Sequence, residues 1–269
     1  TLLLTGTPIR NHPHEIAALI NAIYKDDVVP KHPALFNDMF IRRIEKKPSL
    51  FESIAYAAKA GETYDIKNAN KLRKLVRGIV DYHPHDPNNP DFPKVEETYI
   101  KVPMSKKQMK VYENVTERMP SGLRYKMETL FPPGKSELRS LNAFFQGARQ
   151  SANNPLLYDS GVVGATPQDQ TKIQKAFESF KAHMDKNPKL KAVVYSNYLD
   201  SALNPYRDRL TAGKVPHAMI TGEVNPQLRA EAVKAYNRGK LRALLLSGAG
   251  SEGLDLKGTN LMQILEPHW

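Results

Sequence analysis

The 269-residue chain contains no cysteine. Disulfides and thiolate metal sites are thereby excluded, and the composition fits an intracellular protein. No apolar run approaches membrane-spanning length. Thr1-Leu2-Leu3-Leu4 is too short for a signal peptide and has no basic leader. No Gly-x-x-x-x-Gly-Lys-Ser/Thr phosphate loop occurs, and no acid pair follows a strand in the way that would hold magnesium. The triphosphate-gripping half of a nucleotide site is therefore not expected in these residues. Internal repeats and low-complexity tracts are absent as well. Acidic residues are scarce relative to basic ones: 28 Asp and Glu face 39 Lys and Arg, a formal charge of +11 and a pI of about 9.6. Such an excess favours polyanions, nucleic acid first among them. The chain does not start with Met and stops just after a strand-like run, so it reads as a fragment.

What is present supports a sizeable core, since 41% of the residues are hydrophobic. Leu2-Leu3-Leu4 reads as a buried strand running into a turn at Thr5–Pro8. Ile16, Leu19, Ile20 and Ile23 give helical spacing over Glu15–Tyr24. Residues 26–50, broken by three prolines, predict short helices and turns. Helices are expected over Phe51–Ala60, ended by Gly61, and over Ala69–Arg77. Short strands are expected at Ile79–Tyr82 and Val95–Val102, and a domain boundary near there divides residues 1–94 from 95–269. Ser105 is placed to cap a helix with Met109, Tyr112 and Val115 on one stripe. A second helix is expected over Glu137–Ser151. From residue 171 the pattern becomes regular. Helices at Thr171–Lys186, Leu199–Leu210 and Gln227–Asn237 alternate with strands at Ala192–Tyr195, His217–Ile220, Leu241–Leu246 and Leu261–Leu265. That alternation predicts an α/β fold, a parallel sheet with helices on both faces.

Ligands of such a sheet bind at the C-terminal ends of its strands. Three ends carry suitable residues: Ser196-Asn197, Thr221-Gly222 and Ser247 with its glycine loop. Hydroxyls, an amide and bare glycine backbone form a row of neutral phosphate donors. Arg229, in the helix after Thr221, reaches either a phosphate, a facing lobe or solvent. Asp255 is the one acid in an apolar, glycine-rich turn; it accepts from a ribose hydroxyl, closes an Asx-turn or caps a helix. The tripeptides His12-Pro13-His14 and His83-Pro84-His85 read as turns, and no metal site is expected.

Thr5-Gly6-Thr7-Pro8-Ile9-Arg10-Asn11 and its following helix resemble motif III of superfamily-two helicases. The wording is that of the Swi/Snf-type branch and of helicase-like ATPases of large DNA viruses. Ala192–Asn197 resembles motif IV, Ile220-Thr221-Gly222 with Arg229 the block after it, and Ser247–Leu256 motif V. Ile264–Trp269 resembles the run leading into motif VI. The resemblance implies two RecA-like lobes: residues 1–94 as the helical tail of the first, and 95–269 as the second lobe, with a helical insertion at about 104–186 and its end before motif VI.

It also implies roles. Thr5, Gly6, Thr7 and Pro8 couple hydrolysis to lobe movement. Asn197, Thr221, Gly222 and Ser247 hold a nucleic-acid backbone. Gly253 and Asp255 lie near the nucleotide's ribose, and Arg229 touches a phosphate or the other lobe. Glu252 departs from the arginine of many relatives. ATP and Mg2+ are the implied cofactors. Nucleic acid, DNA rather than RNA, is the implied partner, with transcription or replication machinery beside it, in the nucleus, a viral factory or a virion. The intact protein is expected to be an ATP-dependent helicase or translocase and this piece alone to be inactive. Two alternatives stand beside it: a non-catalytic nucleic-acid-binding module with a degenerate RecA-like fold, and a sugar-nucleotide transferase.

Overall fold

The computed structural model describes residues 2–46, 61–83, 93–122, 125, 135–250 and 253–266. The chain forms two compact units, Thr1–Glu97 and Thr98–Trp269.

In the first unit, a 3-10 turn at Pro13–Glu15 leads into α1 (Ile16–Tyr24), followed by α2 (Pro33–Phe40), β1 (Ile41–Lys46), β2 (Gly61–Ile66) and α3 (Ala69–Val76). Its core is Ala17, Ile20, Val29, Phe36, Phe40 and Ile41, against which Leu72, Leu75 and Val76 of α3 pack. The apolar spacing that predicts α1 is what delivers Ala17 and Ile20 to this core. Lys25 ends α1 in the left-handed region at φ 57°. Asn21 is buried beside it and holds the next turn with two bonds: Nδ2 donates to the Val29 carbonyl (2.8 Å), and the Val29 N–H donates to Oδ1 (3.0 Å).

Several expectations fail here. Leu2–Leu4 is not a strand, and Leu2 and Leu4 are 82% and 87% exposed. A strand persists only within a ladder, and no described strand lies beside it. Ile79–Tyr82 and Val95–Val102 are also irregular, with Tyr82 and Tyr99 exposed, for the same reason. Conversely, β1 and β2 form an antiparallel pair, Ile41 opposite Ile66 through Lys46 opposite Gly61, that the sequence does not announce. Gly61 opens β2. The expected helix Phe51–Ala60 lies outside the described residues.

The second unit contains α4 (Lys106–Glu117), α5 (Lys135–Asn153), α6 (Thr171–Lys186), β3 (Ala192–Tyr195), a π-helical turn at Leu199–Leu203, α7 (Asn204–Ala212), β4 (His217–Ile220), α8 (Pro226–Asn237), β5 (Ala243–Leu246) and β6 (Leu261–Ile264). The four strands form one sheet in the order β4-β5-β3-β6, and every pairing is parallel. β3 and β5 sit centrally, covered on both faces, which is why both read as continuous apolar runs. Alternate residues feed two cores. Ala192, Val194, Ala243 and Leu245 meet Ile173 and Phe180 of α6 and Tyr206 and Leu210 of α7. Val193, Leu244 and Leu246 face the other way, toward Tyr236 of α8, with Leu254 and Leu256 packed alongside. Helices thus cover both faces, as the alternation predicts.

Ser105 caps α4, accepting from the Gln108 N–H at 3.0 Å, and Asn225 caps α8, accepting from Gln227 at 2.8 Å. The buried stripe of α4 is not the expected one. Gln108 and Val111 face inward, and Met109 is 43% exposed. The helix turns Gln108 inside because its amide finds partners there: the Ala152 carbonyl at 2.9 Å and the Thr171 hydroxyl at 2.7 Å.

Candidate nucleic-acid interface

The register places the strand ends level. Leu246 of β5 is opposite both Tyr195 of β3 and Ile220 of β4, and Tyr195 is opposite Ile264 of β6. The residues that follow therefore form a single rim: Ser196-Asn197, Thr221-Gly222, Ser247-Gly248 and Leu265-Glu266. Backbone bonds carry the ladder one step past the strands. Ser196 N donates to Leu246 O (3.2 Å), Ser247 N to Ile220 O (3.2 Å) and Leu265 N to Tyr195 O (3.0 Å).

Two glycines allow the rim to close. A Cβ on Gly250 would lie 2.3 Å from the Ile220 carbonyl oxygen, and one on Gly248 would lie 2.7 Å from Asn197 Oδ1. The small residues after β5 are thus required by approach of the loop to both neighbouring strand ends. Asn197, Thr221, Gly222 and Ser247, expected together from topology alone, are together. Thr221 and Ser247 are buried, however, while Asn197 and Gly248 are half-buried and Gly222 is exposed. What the rim turns outward is chiefly backbone, with the Asn197 amide tucked beneath it. Arg229 sits half-buried in the first turn of α8, which begins five residues beyond Thr221.

Gly253 and Asp255 occupy the irregular segment between β5 and β6. Gly253 has φ 70°, and a Cβ there would have nothing within 4 Å; Asp255 is exposed. The Asp255 carboxylate lies 3.7 Å from Lys257 Nζ, and its carbonyl accepts from Asn237 Nδ2 at 2.9 Å. It caps no helix: the chain runs on to β6. The carboxylate is thus exposed two residues from the open backbone of Gly253.

The acid at the end of β6 is not among the residues expected from sequence. Glu266 is 4% exposed, and its Oε1 accepts from the Ser196 hydroxyl (2.6 Å) and the Asn197 N–H (2.7 Å). Asn153 Nδ2 approaches Oε2 at 3.4 Å. Lys172 of α6 faces this charge; burial pulls the lysine's pKa down and the carboxylate opposes that pull. Only an acid two residues beyond a strand signals such a site in sequence.

In the first unit, Thr5, Gly6, Thr7 and Pro8 are exposed, with Thr7 N donating to Thr5 Oγ1 at 3.1 Å. The continuation of this loop is gathered by Glu15, whose carboxylate accepts from the N–H groups of Arg10 (2.7 Å), Asn11 (3.1 Å) and His12 (3.1 Å). These backbone donors hold its pKa below the usual carboxylate range. The rings of His12 and His14 stack with centroids 5.6 Å apart. Among the described residues, no three His, Cys, Asp or Glu side chains gather as a metal site.

A parallel sheet with a glycine-lined rim at its strand ends is shared by many nucleotide-binding α/β folds, the RecA-like fold among them. The comparisons with known proteins agree with it. The family model of the SNF2-related domain matches residues 1–157, and that of the helicase conserved C-terminal domain matches residues 172–269. The chain belongs to the SNF2-related family.

Two proteins of Acanthamoeba polyphaga mimivirus, both named as proposed ATP-dependent RNA helicases, align with all of this chain at 27% and 25% identity. The chain spans about half the length of these relatives, 54% and 48%. Among solved structures, it is similar in fold to the Sulfolobus solfataricus SWI2/SNF2 ATPase core in complex with dsDNA. The TM-score is 0.52 at 15% identity, over 98% of this chain and 51% of the other.

Proposed function

We propose that this chain is part of a nucleic-acid-dependent ATPase, a helicase or translocase that couples ATP hydrolysis to movement on duplex DNA inside the cell. The observation that carries this reading is the level rim of Asn197, Thr221, Gly222 and Ser247, closed by Gly248 and Gly250. Neutral donors and open backbone at parallel strand ends suit a phosphodiester backbone and read no base. Charge supports it: residues 98–269 hold 25 Lys and Arg against 15 Asp and Glu, so most of the chain's positive excess belongs to the unit that carries the rim. The similar structure bound to dsDNA favours DNA, whereas the names of the viral relatives favour RNA. ATP bound by the whole protein supplies the free energy of hydrolysis. Here Gly253 and Asp255 orient its ribose, Arg229 meets a phosphate, and Thr5–Pro8 relays the nucleotide state. Residues 1–94 and 95–269 serve as parts of separate lobes, and transcription or replication machinery is the setting.

The test is affinity for a fluorescent DNA duplex against salt concentration, by anisotropy. Wild type is expected to bind with log affinity falling linearly in log salt, by about 0.9 per phosphate neutralised. Asn197→Ala is expected to lower affinity at every salt concentration without changing that slope, whereas Ser247→Ala, which removes a buried hydroxyl and leaves the rim's backbone in place, is expected to change affinity little. Lys106→Ala with Lys110→Ala, on the exposed side of α4, is expected to flatten the slope. Absence of duplex binding by wild type, or full affinity in Asn197→Ala, overturns the reading. Tighter binding of an RNA duplex of the same sequence assigns RNA instead.

A further inference from the structure

We infer that Glu266 is a positioning residue for nucleic-acid contact: its buried carboxylate fixes the loop after β3, and through it the Asn197 side chain, against the Gly248 backbone. The inference rests on the rim being the nucleic-acid track.

A carboxylate 4% exposed is costly to desolvate, and an apolar residue at this buried position would avoid the cost. Its partners show what it does there. Both short hydrogen bonds come from the β3 exit: the Ser196 hydroxyl at 2.6 Å and the Asn197 N–H at 2.7 Å, both to Oε1. The β3–β6 ladder proper ends at Leu265 N to Tyr195 O (3.0 Å). Beyond that point, Asn197 N would be an orphan donor, and Glu266 supplies the acceptor that the backbone no longer can.

On its other side, the same loop is tied to β5 by Ser196 N to Leu246 O (3.2 Å). The β3 exit is thus held from both neighbouring strands. A further tie is internal: the Ser196 hydroxyl oxygen also accepts from Tyr198 N at 3.0 Å, which turns the chain out of the rim.

The consequence is the placement of Asn197. Its Oδ1 accepts from Tyr195 OH at 3.2 Å and occupies the space that a side chain at position 248 would need, 2.7 Å from a Cβ there. Its Nδ2 is buried and has no partner among the described residues, so one donor of the amide is uncommitted under the rim. Release of the loop from Glu266 frees Asn197 to leave this position while the strands, held by their own ladder and by the cores on both faces, stay in place. Glu266 touches no ligand in this scheme and acts only through the loop.

The experiment is a double-mutant cycle on duplex DNA affinity, measured by anisotropy on the whole chain, with thermal melting of every variant. Glu266→Ala is expected to weaken binding about tenfold, comparable to Asn197→Ala. The double variant is expected to be no weaker than Asn197→Ala alone, since both remove the same contact. Glu266→Gln keeps an oxygen at the Oε1 position, able to accept both bonds, and is expected to bind within about twofold of wild type. Purely structural damage would give additive losses and no rescue by glutamine.

Additive losses, full affinity in Glu266→Ala, or a glutamine variant as weak as alanine each refute the inference. If Glu266→Ala does not fold, Ser196→Ala takes its place in the cycle, removing one of the two donors with the same expectation. Asn197→Ala alone distinguishes the levels. If it binds as wild type, the rim assignment itself is wrong; if it is weakened while the Glu266 variants are not, only this inference falls.

Discussion

Replacement of Gly250 by alanine tests the closure of the rim most directly. The new Cβ would lie 2.3 Å from the Ile220 carbonyl oxygen, 2.7 Å from its carbon and 3.1 Å from Thr221 Cα, all backbone atoms. Ordinary contact begins at 3.4 Å, so something must move by roughly 1 Å. The carbonyl is not free to turn aside, because it already accepts the Ser247 N–H at 3.2 Å, the bond that ties the β4 exit to β5. Overpacking costs about 1–3 kcal/mol and the lost hydrogen bond about 1 kcal/mol, together about 2–4 kcal/mol. For a unit of this size, that lowers Tm by about 5–15 °C. Calorimetry on the whole chain reads it, and duplex affinity is expected to fall with it. Two other glycines calibrate the result. Gly253→Ala meets nothing within 4 Å but keeps φ 70°, and is expected to cost about 1 kcal/mol. Gly6→Ala also meets nothing and needs no positive φ, so its Tm is expected to match wild type. A Gly250→Ala variant that melts with wild type, or one that is more stable than the Gly253 or Gly6 variant, would refute the close approach.

Two predictions concern the first unit. Glu15 has its pKa depressed by backbone donors from the ordinary 4.5, so its hold on the Thr5–Asn11 loop is fully present above that value and is lost as pH falls through the depressed one. Amide exchange at Arg10, Asn11 and His12 is expected to be slow at pH 6 and to lose protection on acidification; Glu15→Gln is expected to abolish the pH dependence, and protection that is insensitive to both refutes the role. Asn21→Ala leaves the buried Val29 N–H and C=O without partners and is expected to destabilise the chain by about 2–4 kcal/mol, read by urea denaturation. An unchanged midpoint would show that water replaces the amide.

The second unit is legible in sequence because its elements announce themselves locally. Ala192–Tyr195 and Leu244–Leu246 are apolar throughout because both faces of a central parallel strand are covered, and the helices between them leave only one economical way to connect. Asn197, Thr221 and Ser247 can be grouped from the order of helices and strands alone, since in such a sheet all strand C-termini share one edge. The first unit is not legible in this way. Leu2–Leu4 carries a strand's composition without a ladder among the described residues, and β1–β2 is a ladder with little of a strand's composition; pairing lies with the partner, which the local sequence does not contain.

The same limit applies within the site. Sequence puts hydroxyls on the rim, but only packing decides that Thr221 and Ser247 are buried and that the rim offers backbone instead. It shows glycines after β5, but not that Gly250 is pressed onto Ile220 while Gly253 is open. It shows an acid at 266, 69 residues from Asn197, and gives no reason to join them. Composition and periodicity are properties of neighbours along the chain, and they determine the class of fold and the edge that the strand C-termini share. Hydrogen bonds, burial and close approach belong to neighbours in space, and only the folded sheet brings Glu266, Asn197 and Gly248 within reach of one another.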